Sequence, residues 1–320
     1  MGLSTLFIKL GRSRPATILY FEVRCANTID ERERALAWLY HELSMTLSFI
    51  TIRVFMSTWQ SALAQLLNII PLKLSMAEGP LLVMWKEDIQ PFIGKKVMAV
   101  ENNTKLDADR MAGKTIRDVK TWGKHFLICF DDFTLRIHFL MFGDLYINRR
   151  KPPEKPIKLS LQFTDDELVF YNCALRFTEE PLDEVYDWSA DVMNDAWDPK
   201  AAMKKLKAIP DALVCDALLN QGIFSGVGNI IKNEVLFRVR VQPLSLTGKI
   251  PGKKWDEILK ELVTYSYQFL EWRKKGEFQR HWEANARKLC PRDKVPFIKA
   301  YLGKDQRRSF YCTECQVLYR

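Results

Sequence analysis

Three of the seven cysteines lie near the end of the 320-residue chain, at spacings that suit a metal site. Cys312 and Cys315 are separated by two residues, which is the spacing of half a zinc knuckle. The other half would be a second Cys-x2-Cys pair, but the chain has Cys290 followed by Asp293. Because a carboxylate oxygen can bind zinc, the spacing predicts a site of three cysteines and one aspartate. His281 is an alternative fourth ligand, and a finger without metal is the simpler alternative.

A glycine-containing segment from Asn220 to Ile230 lies between two stretches with helical periodicity. Its glycines permit a tight turn, and Asn229 is placed to begin the second helix. Backbone N–H groups and the positive end of a helix dipole at such a turn can bind a phosphate. An ordinary hairpin of two helices, with Asn229 as the N-cap, is the alternative interpretation.

The elements that must position these residues divide into a β-rich part and a helical part. Runs of β-branched, aromatic and polar residues predict strands of a sheet or sandwich over Lys95–Val100, Thr115–Trp122, His125–Phe130, Phe133–Phe139, Asp144–Ile147, Leu159–Phe163 and Glu167–Tyr171. Asp131 and Asp132 are a predicted hairpin turn. After Trp197, apolar spacing predicts helices over Ala201–Ala208, Asp211–Asn220, Asn229–Phe237 and Trp255–Trp272. The sequence therefore predicts an α+β fold.

The composition excludes several classes of protein. Hydrophobic residues make up 48% of the chain, so it can bury a core and is not intrinsically disordered. The formal net charge of +9 is compatible with a polyanionic partner. The odd number of cysteines argues against a disulfide framework and favours a reducing compartment. The uncharged stretch Val54–Leu72 is as long as a membrane span, but its Gln and Asn residues make it a poor one.

Four motifs in order resemble the Fpg/Nei family of DNA glycosylases, over Met76 to the C-terminus. Met-Ala-Glu-Gly-Pro at 76–80 resembles the family's Met-Pro-Glu-Gly-Pro start, with alanine where proline is usual. Gly-Lys at 123–124 resembles its strand motif, and Gly-Val-Gly-Asn-Ile at 226–230 resembles its helix–two-turn–helix. The segment from Arg307 to Gln316 resembles its zinc-finger hairpin.

The resemblance implies three domains after an extension over residues 1–75. An N-terminal β-sandwich with flanking helices would cover 76–195, and a helical helix–two-turn–helix domain would cover 196–280. A zinc-finger-like β-hairpin would close the chain at 281–320. We interpret residues 1–75 as the product of a start codon placed too early, or as a loosely structured segment.

The resemblance also implies that the nucleophile is the α-amine of Ala77, and that Glu78 acts as an acid toward the sugar. An α-amine has a pKa of about 7.7–8, against about 10.4 for lysine, so more of it is uncharged near neutral pH. In the 320-residue chain the nitrogen of Ala77 lies in a peptide bond with Met76. Three alternatives follow for this nitrogen: translation starts at Met76, the extension is removed, or the protein does no lyase chemistry.

The DNA contacts follow from the same resemblance. Lys124 and Arg307 would contact phosphates at the lesion and assist catalysis, and Asn229 would bind the same backbone, with Arg308 as the alternative to Arg307. A base that leaves the duplex leaves a gap that apolar side chains can fill. The candidates to fill it are Leu140, Met141 and Phe142. The ordinary alternatives are a solvent-facing strand lysine for Lys124 and a solvated run of charge for Arg307 and Arg308. For the three apolar residues the alternative is core packing.

The predicted function is a bifunctional DNA glycosylase/AP lyase of base excision repair, which removes oxidised bases and cleaves the abasic site by β/δ-elimination. Its partner would be damaged double-stranded DNA and its cofactor a structural zinc ion, in a cytoplasmic monomer without a membrane anchor. The apolar wedge favours oxidised pyrimidines, while formamidopyrimidines and 8-oxoguanine stay open. A catalytically silent DNA-binding protein with a blocked amine, and a membrane-anchored protein, are the alternatives.

Overall fold

The structure is a computed structural model that describes residues 77–151 and 155–320. The extension, Met76 and the candidate span Val54–Leu72 lie outside these ranges. Within them the helices are α1 Gly79–Asp88, α2 Leu182–Val185, α3 Pro199–Lys207, α4 Val214–Ala217, α5 Asn229–Arg238 and α6 Gly252–Lys274. The strands are β1 Ala99–Asn102, β2 Asp118–Trp122, β3 His125–Cys129, β4 Thr134–Ile147, β5 Leu159–Gln162, β6 Glu167–Thr178, β7 Ile298–Leu302 and β8 Arg307–Tyr311. The predicted α+β class is confirmed.

Strands β1 to β6 form one antiparallel sheet in the order β1-β5-β6-β4-β3-β2. The predicted turn at Asp131 and Asp132 is confirmed, because Cys129 pairs with Thr134 across it. Residues from both halves of the sheet, including Leu161 on β5 and Ile128 on β3, belong to one apolar core. The shared core holds the ends of β2 and β3 in a fixed position.

The segment predicted as two strands, Phe133–Phe139 and Asp144–Ile147, is the single long strand β4. Its register against β6 shifts between Phe139 and Asp144, so that the residues between them bulge out of the ladder. The backbone of Phe142 has a φ of 67°, in the left-handed region. The irregular segment therefore projects side chains from the sheet surface instead of interrupting the strand.

Helix α1 was not predicted from the sequence. It begins after Glu78 with Pro80 in its first turn, a position that proline tolerates because its missing N–H has no helical partner there. It packs against α6, and its Trp85 ring lies 4.4 Å from that of Phe139. The helix thus fixes the start of the described chain against both the sheet and the helical part.

The helix predicted over Asp211–Asn220 is wrong in extent, since only Val214–Ala217 is α-helical. Leu213 forms a bridge with Leu246, and the amide of Val214 donates to the carbonyl of Ser245. These pairings with a distant segment hold the first residues out of the helix. The helices around Asn229–Phe237 and Trp255–Trp272 are confirmed, with ends that differ by a few residues.

Strands β7 and β8 form a separate two-stranded antiparallel hairpin near the C-terminus. Helix α5 contacts β8, so the hairpin lies against the helical part. No helix in the described ranges is both long enough and apolar enough to cross a membrane. The proposed domain boundaries at 195/196 and 280/281 stay predictions.

Candidate functional site

The carboxylate of Glu78 lies at the N-terminus of helix α5. Its Oε1 accepts a hydrogen bond from the amide of Ile230 at 2.8 Å, and Oε2 accepts one from the amide of Ile231 at 3.2 Å. The N-cap of α5 is Gly228, which has no side chain to satisfy these amides, so the sequence alternative of Asn229 as N-cap does not hold. Glu78 therefore closes the first turn of a helix that lies about 150 residues further along the chain.

Close backbone approaches bring three loops to this carboxylate. The amide of Gly79 donates to the carbonyl of Gly226 at 2.9 Å, and a Cβ on Gly79 would lie 3.0 Å from the Cα of Gly226. Gly123 has a φ of +53°, and a Cβ there would lie 2.5 Å from the nitrogen of Gly226. The glycines of the first three motifs thus meet one another, which only residues without a side chain allow.

Asp191 stabilises the place where Gly123 and Gly226 meet. Its carboxylate accepts hydrogen bonds from the amides of Gly123 at 2.8 Å and Met193 at 3.0 Å. Burial raises the pKa of this carboxyl group above its ordinary value, although the two amides oppose the shift. Sequence analysis did not identify Asp191, because an isolated aspartate before an apolar residue carries no distinguishing pattern.

Three of the four predicted catalytic residues interact electrostatically in the folded chain. Burial raises the pKa of Glu78 above its ordinary value, against the charges of Lys124 and Arg307 and the two amide hydrogen bonds. Burial also lowers the pKa of Lys124, which the charge of Glu78 opposes and that of Arg307 reinforces. Both shifts move the carboxyl group and the amine toward their neutral forms. The fourth residue, Ala77, precedes Glu78 and packs partly buried against the core of the sheet.

The predicted phosphate-binding residues Asn229 and Arg308 are joined through the protein. The side-chain amide of Asn229 donates to the backbone carbonyl of Arg308 at 2.9 Å. The Arg308 side chain donates to the hydroxyl of Tyr301 at 3.0 Å across the hairpin. The hairpin that carries Arg307 is therefore attached directly to the first turn of α5.

The predicted wedge residues lie in the bulged part of β4 and are exposed. The exposed fractions are 44% for Leu140, 67% for Met141 and 53% for Phe142, which excludes the alternative of core packing. The side-chain amide of Asn172 donates to the carbonyl of Met141 at 2.6 Å and supports the segment from the neighbouring strand. Large apolar side chains held outward in this way can enter a gap in a base stack.

The four predicted metal ligands come together. One ligand atom each from Cys290, Asp293, Cys312 and Cys315 lies within 4.8 Å of the others. The sulfurs of Cys290 and Cys315 are 3.8 Å apart, and a tetrahedral site with Zn–S bonds of about 2.3 Å needs a separation of about 3.8 Å. The donor set therefore fits zinc. The alternative ligand His281 instead stacks on the ring of Trp272, with centroids 4.2 Å apart.

Lys232, in the second turn of α5, is a further residue of the site that was not predicted from the sequence. Its side chain is fully buried, which is rare for lysine. Its Nζ donates to the hydroxyl of Ser309 at 2.7 Å and to the side-chain oxygen of Asn229 at 2.9 Å. The sequence pattern around Lys232 does not indicate its burial, because the hairpin strand β8, whose Ser309 contacts it, lies far along the chain.

Two family models match the chain, and together they cover more than half of it. The formamidopyrimidine-DNA glycosylase N-terminal domain matches residues 76–179. The formamidopyrimidine-DNA glycosylase H2TH domain matches residues 189–276. The matched regions contain Ala77, Glu78, Lys124 and Asn229, while Arg307 and the metal ligands lie beyond them.

Curated proteins of two kinds are similar to the chain. It is 30% identical over 195 residues to endonuclease 8-like 2 of Mus musculus, an alignment that covers 57% of each chain. It is 31% identical over 196 residues to endonuclease 8-like 2 of Homo sapiens. Similarity to endonuclease 8-like 3 of Xenopus laevis is 29% over 221 residues, which covers 66% of this chain and 36% of that protein. The alignments thus span between about a third and three fifths of these relatives.

Solved structures share the fold over most of the chain. A viral DNA glycosylase matches with a TM-score of 0.65 at 20% identity, covering 75% of this chain and 100% of that one. The Lactococcus lactis formamidopyrimidine-DNA glycosylase, bound to DNA that contains an AP site, matches with a TM-score of 0.66, also at 20% identity, over 75% and 99%. At this identity the similarity establishes the architecture.

Proposed function

We propose, from the premise that this chain belongs to the Fpg/Nei family of DNA glycosylases, that it removes oxidised bases from double-stranded DNA and cleaves the resulting abasic site. The observation that carries the proposal is the buried carboxyl group of Glu78, held by the first turn of α5 beside Lys124 and Arg307. The pKa values of the Glu78 carboxyl group and the Lys124 amine are both shifted toward the neutral forms, and Glu78 directly follows the residue that supplies the nucleophile. This arrangement suits acid–base chemistry at a sugar.

The first step requires a free α-amine at Ala77. Its nitrogen attacks C1′ of the deoxyribose, a C–N bond forms, and the bond from C1′ to the damaged base breaks. The base leaves with the bonding electron pair and takes up a proton. The nitrogen loses one proton, the C1′–O4′ bond breaks, and its electron pair goes to the ring oxygen, which takes up a proton. A protonated Schiff base remains. The active form therefore begins at Ala77, after removal of Met76 and everything that precedes it.

Glu78 acts as an acid in this sequence. Since burial raises its pKa, the protonated form persists at higher pH than in a free glutamate and can donate to the ring oxygen of the sugar. The conjugate base then accepts protons in the later transfers. Loss of the C2′ proton from the Schiff base breaks the bond to the 3′ phosphate, a β-elimination. A second elimination releases the 5′ phosphate, and water finally hydrolyses the imine and restores the amine.

Lys124 and Arg307 bind the phosphates that flank the lesion. Both are cations whose charges reach Glu78, and a guanidinium can contact a phosphate through two hydrogen bonds at once. The base must leave the stack before C1′ becomes accessible. Leu140, Met141 and Phe142 would fill the gap that it leaves.

The cysteine cluster would hold a structural zinc ion. Cys290, Asp293, Cys312 and Cys315 would be its ligands, and the ion would supply a rigid base for the hairpin of β7 and β8. Arg292 connects this cluster to the helix, because its guanidinium donates to the carbonyl of Phe237 at 2.9 Å. We further propose that the chain acts as a cytoplasmic monomer on chromosomal DNA.

A second candidate function is damaged-DNA binding without catalysis. It is favoured by the peptide bond between Met76 and Ala77 in the 320-residue chain, because an amide nitrogen cannot form an imine. Borohydride reduction of the protein with abasic-site DNA separates the two functions. A covalent adduct with the chain that starts at Ala77, and none with the 320-residue chain, supports the enzyme and assigns the block to the extension.

If the chain that starts at Ala77 binds the duplex but forms no adduct and makes no strand break, the silent binder is correct. The intact mass of the protein from its native source shows which amino terminus exists. A panel of duplexes with oxidised pyrimidines, formamidopyrimidines or 8-oxoguanine then defines the lesion that is removed.

A further inference from the structure

Lys232 is the one fully buried lysine in the described ranges, and it lies where two parts of the site join. A buried ammonium group is costly unless hydrogen bonds replace its hydration. Lys232 obtains them from Ser309 on β8, at 2.7 Å, and from Asn229 on its own helix, at 2.9 Å. One side chain therefore connects the hairpin to the helix N-terminus from inside the protein.

The surrounding hydrogen bonds all strengthen the same connection. Asn229 and Asn233 both donate to the backbone carbonyl of Arg308, at 2.9 and 3.2 Å. The hydroxyl of Ser309 donates in turn to the carbonyl of Arg307 at 3.3 Å. The backbone of Arg308 is thus held by two residues of α5, and that of Arg307 by Ser309. The Lys232 ammonium donates to the side-chain oxygens of both Asn229 and Ser309.

We propose that Lys232 is a positioning residue, which holds β8 and the Arg307 side chain in register with the turn of α5 that binds Glu78. The inference deepens the proposed function, on which its role in DNA binding rests. The positioning of the hairpin itself is a property of the free protein. It can be measured whether or not the chain acts on DNA.

The charges around Lys232 make the connection sensitive to pH. Burial lowers the pKa of Lys232 to about 8; the charge of Arg307 lowers it further, and the charges of Glu78 and Asp216 raise it. Because burial raises the pKa of the Cys215 thiol to about 11, this thiol stays neutral when Lys232 titrates. The positive charge of Arg307, which opposes protonation of Lys232, is therefore the charge whose effect bound DNA can change.

A phosphate bound to Arg307 offsets its positive charge and favours the protonated form of Lys232. The complex then binds more protons than the free protein near pH 8, so DNA affinity must fall as pH rises through that range. A variant without an ionisable group at position 232 lacks this contribution. A lysine that does not interact with Arg307 would not show it, so the pH profile tests the linkage to Arg307 and hydrogen exchange tests the positioning.

The experiment compares wild type with K232M, K232R and S309A, and uses the exposed Lys260 in K260M as a control. Hydrogen exchange of residues 298–311 is measured in the free protein. Affinity for a duplex with a tetrahydrofuran abasic-site analogue is measured between about pH 7 and about pH 9. All chains start at Ala77, and thermal unfolding shows which of them are folded.

We expect faster exchange of the hairpin in K232M and S309A, and affinity reduced by about tenfold or more in K232M, since hydrogen bonds to a charged group are lost. The pH dependence near 8 should be weaker in both K232M and K232R than in wild type, because the α-amine of Ala77 titrates in this range in every chain, while K260M matches wild type. Unchanged hairpin exchange in folded K232M and S309A would refute the positioning role. Equal pH slopes in wild type and K232R would refute the linkage to Lys232.

Failure of the proposed function has a different signature. If wild type does not bind the duplex, that function is wrong, while exchange of the hairpin still decides whether Lys232 positions it. If K232M does not fold, S309A and K232R provide the same two measurements. In that case S309A must loosen the hairpin, and K232R must show a weaker pH dependence than wild type.

Discussion

Gly228 lies so close to Glu78 that a Cβ on this glycine would be 2.2 Å from the carboxyl carbon. The backbone of Gly228 is extended, with a φ of −117°, so any residue could adopt it. Glycine is therefore required here by contact and not by conformation. A side chain on the N-cap residue would occupy the space of the Glu78 carboxyl group, and glycine leaves that space free.

Substitution of this glycine should displace the acid. We expect G228A to cost about 1–3 kcal/mol of unfolding free energy through overpacking, and to abolish most base excision. Denaturant unfolding and single-turnover cleavage of a lesion-bearing duplex measure the two effects. The matched control is G252A, because a Cβ at Gly252 meets nothing within 4 Å. Equal behaviour of the two variants would show that the contact is unimportant.

Removal of the acid should affect chemistry more than binding. E78Q keeps the shape of the side chain but cannot donate a carboxyl proton, so we expect base excision to slow by about a hundredfold or more. Affinity for abasic-site duplex should change much less. E87Q is the control, since Glu87 lies in helix α1, which Glu78 precedes, and forms an exposed ion pair with Lys274 at 2.7 Å. Excision by E78Q at the wild-type rate would remove Glu78 from the mechanism.

The raised pKa of Glu78 also predicts how stability varies with pH. In the unfolded chain this residue ionises near its ordinary value of 4.5, whereas burial keeps it protonated to higher pH in the folded chain. Its contribution to stability is thus complete below that value and is lost as pH rises through the folded pKa. Asp191 and Glu234 act in the same direction, because burial raises the pKa of each. The difference between wild type and E78Q isolates Glu78.

Urea unfolding between about pH 4 and about pH 8 measures this difference. The unfolding free energy of wild type should decline more steeply than that of E78Q. Parallel curves would show that Glu78 titrates alike in both states.

Asp293 should decide how firmly the cysteine cluster holds zinc. We expect about one zinc ion per chain in wild type, loss of zinc from D293A on treatment with a chelator, and tighter retention by D293C, which supplies a fourth thiolate. Elemental analysis after dialysis measures the content. D305A, at an exposed aspartate in the hairpin turn, should retain zinc like wild type. Identical retention by D293A and wild type would leave Asp293 outside the ligand set.

The exposed wedge should contribute to DNA distortion and not to stability. Since Met141 is 67% exposed, M141A should change the unfolding free energy by less than about 0.5 kcal/mol. Base excision should slow about tenfold, because the extruded base costs a few kcal/mol of unstacking. M98A, at a residue that is 58% exposed on another surface, is the control. Equal excision by both variants would exclude Met141 as a wedge.

Several features of the site were predictable because their signals are local in sequence. The Cys-x2-Cys spacing, the glycines of 226–228 and the Ala77-Glu78 pair each lie within a few residues, so residue type and spacing identify them. The structure places Gly228 against Glu78, and it gathers the four predicted metal ligands in a separate cluster. The order of the motifs was sufficient to indicate the family.

Tertiary contacts decided the rest. Two predicted strands became the single strand β4 because β6 pairs with both halves, and the predicted helix at 211–220 shortened because Leu213 pairs with Leu246. The partners of Glu78 and Lys232 lie 152 and 77 residues away. No local pattern encodes such contacts, since they depend on which surfaces the folded core brings together. The sequence by itself determined which chemical groups are available, and the tertiary structure decided which of them are buried and adjacent.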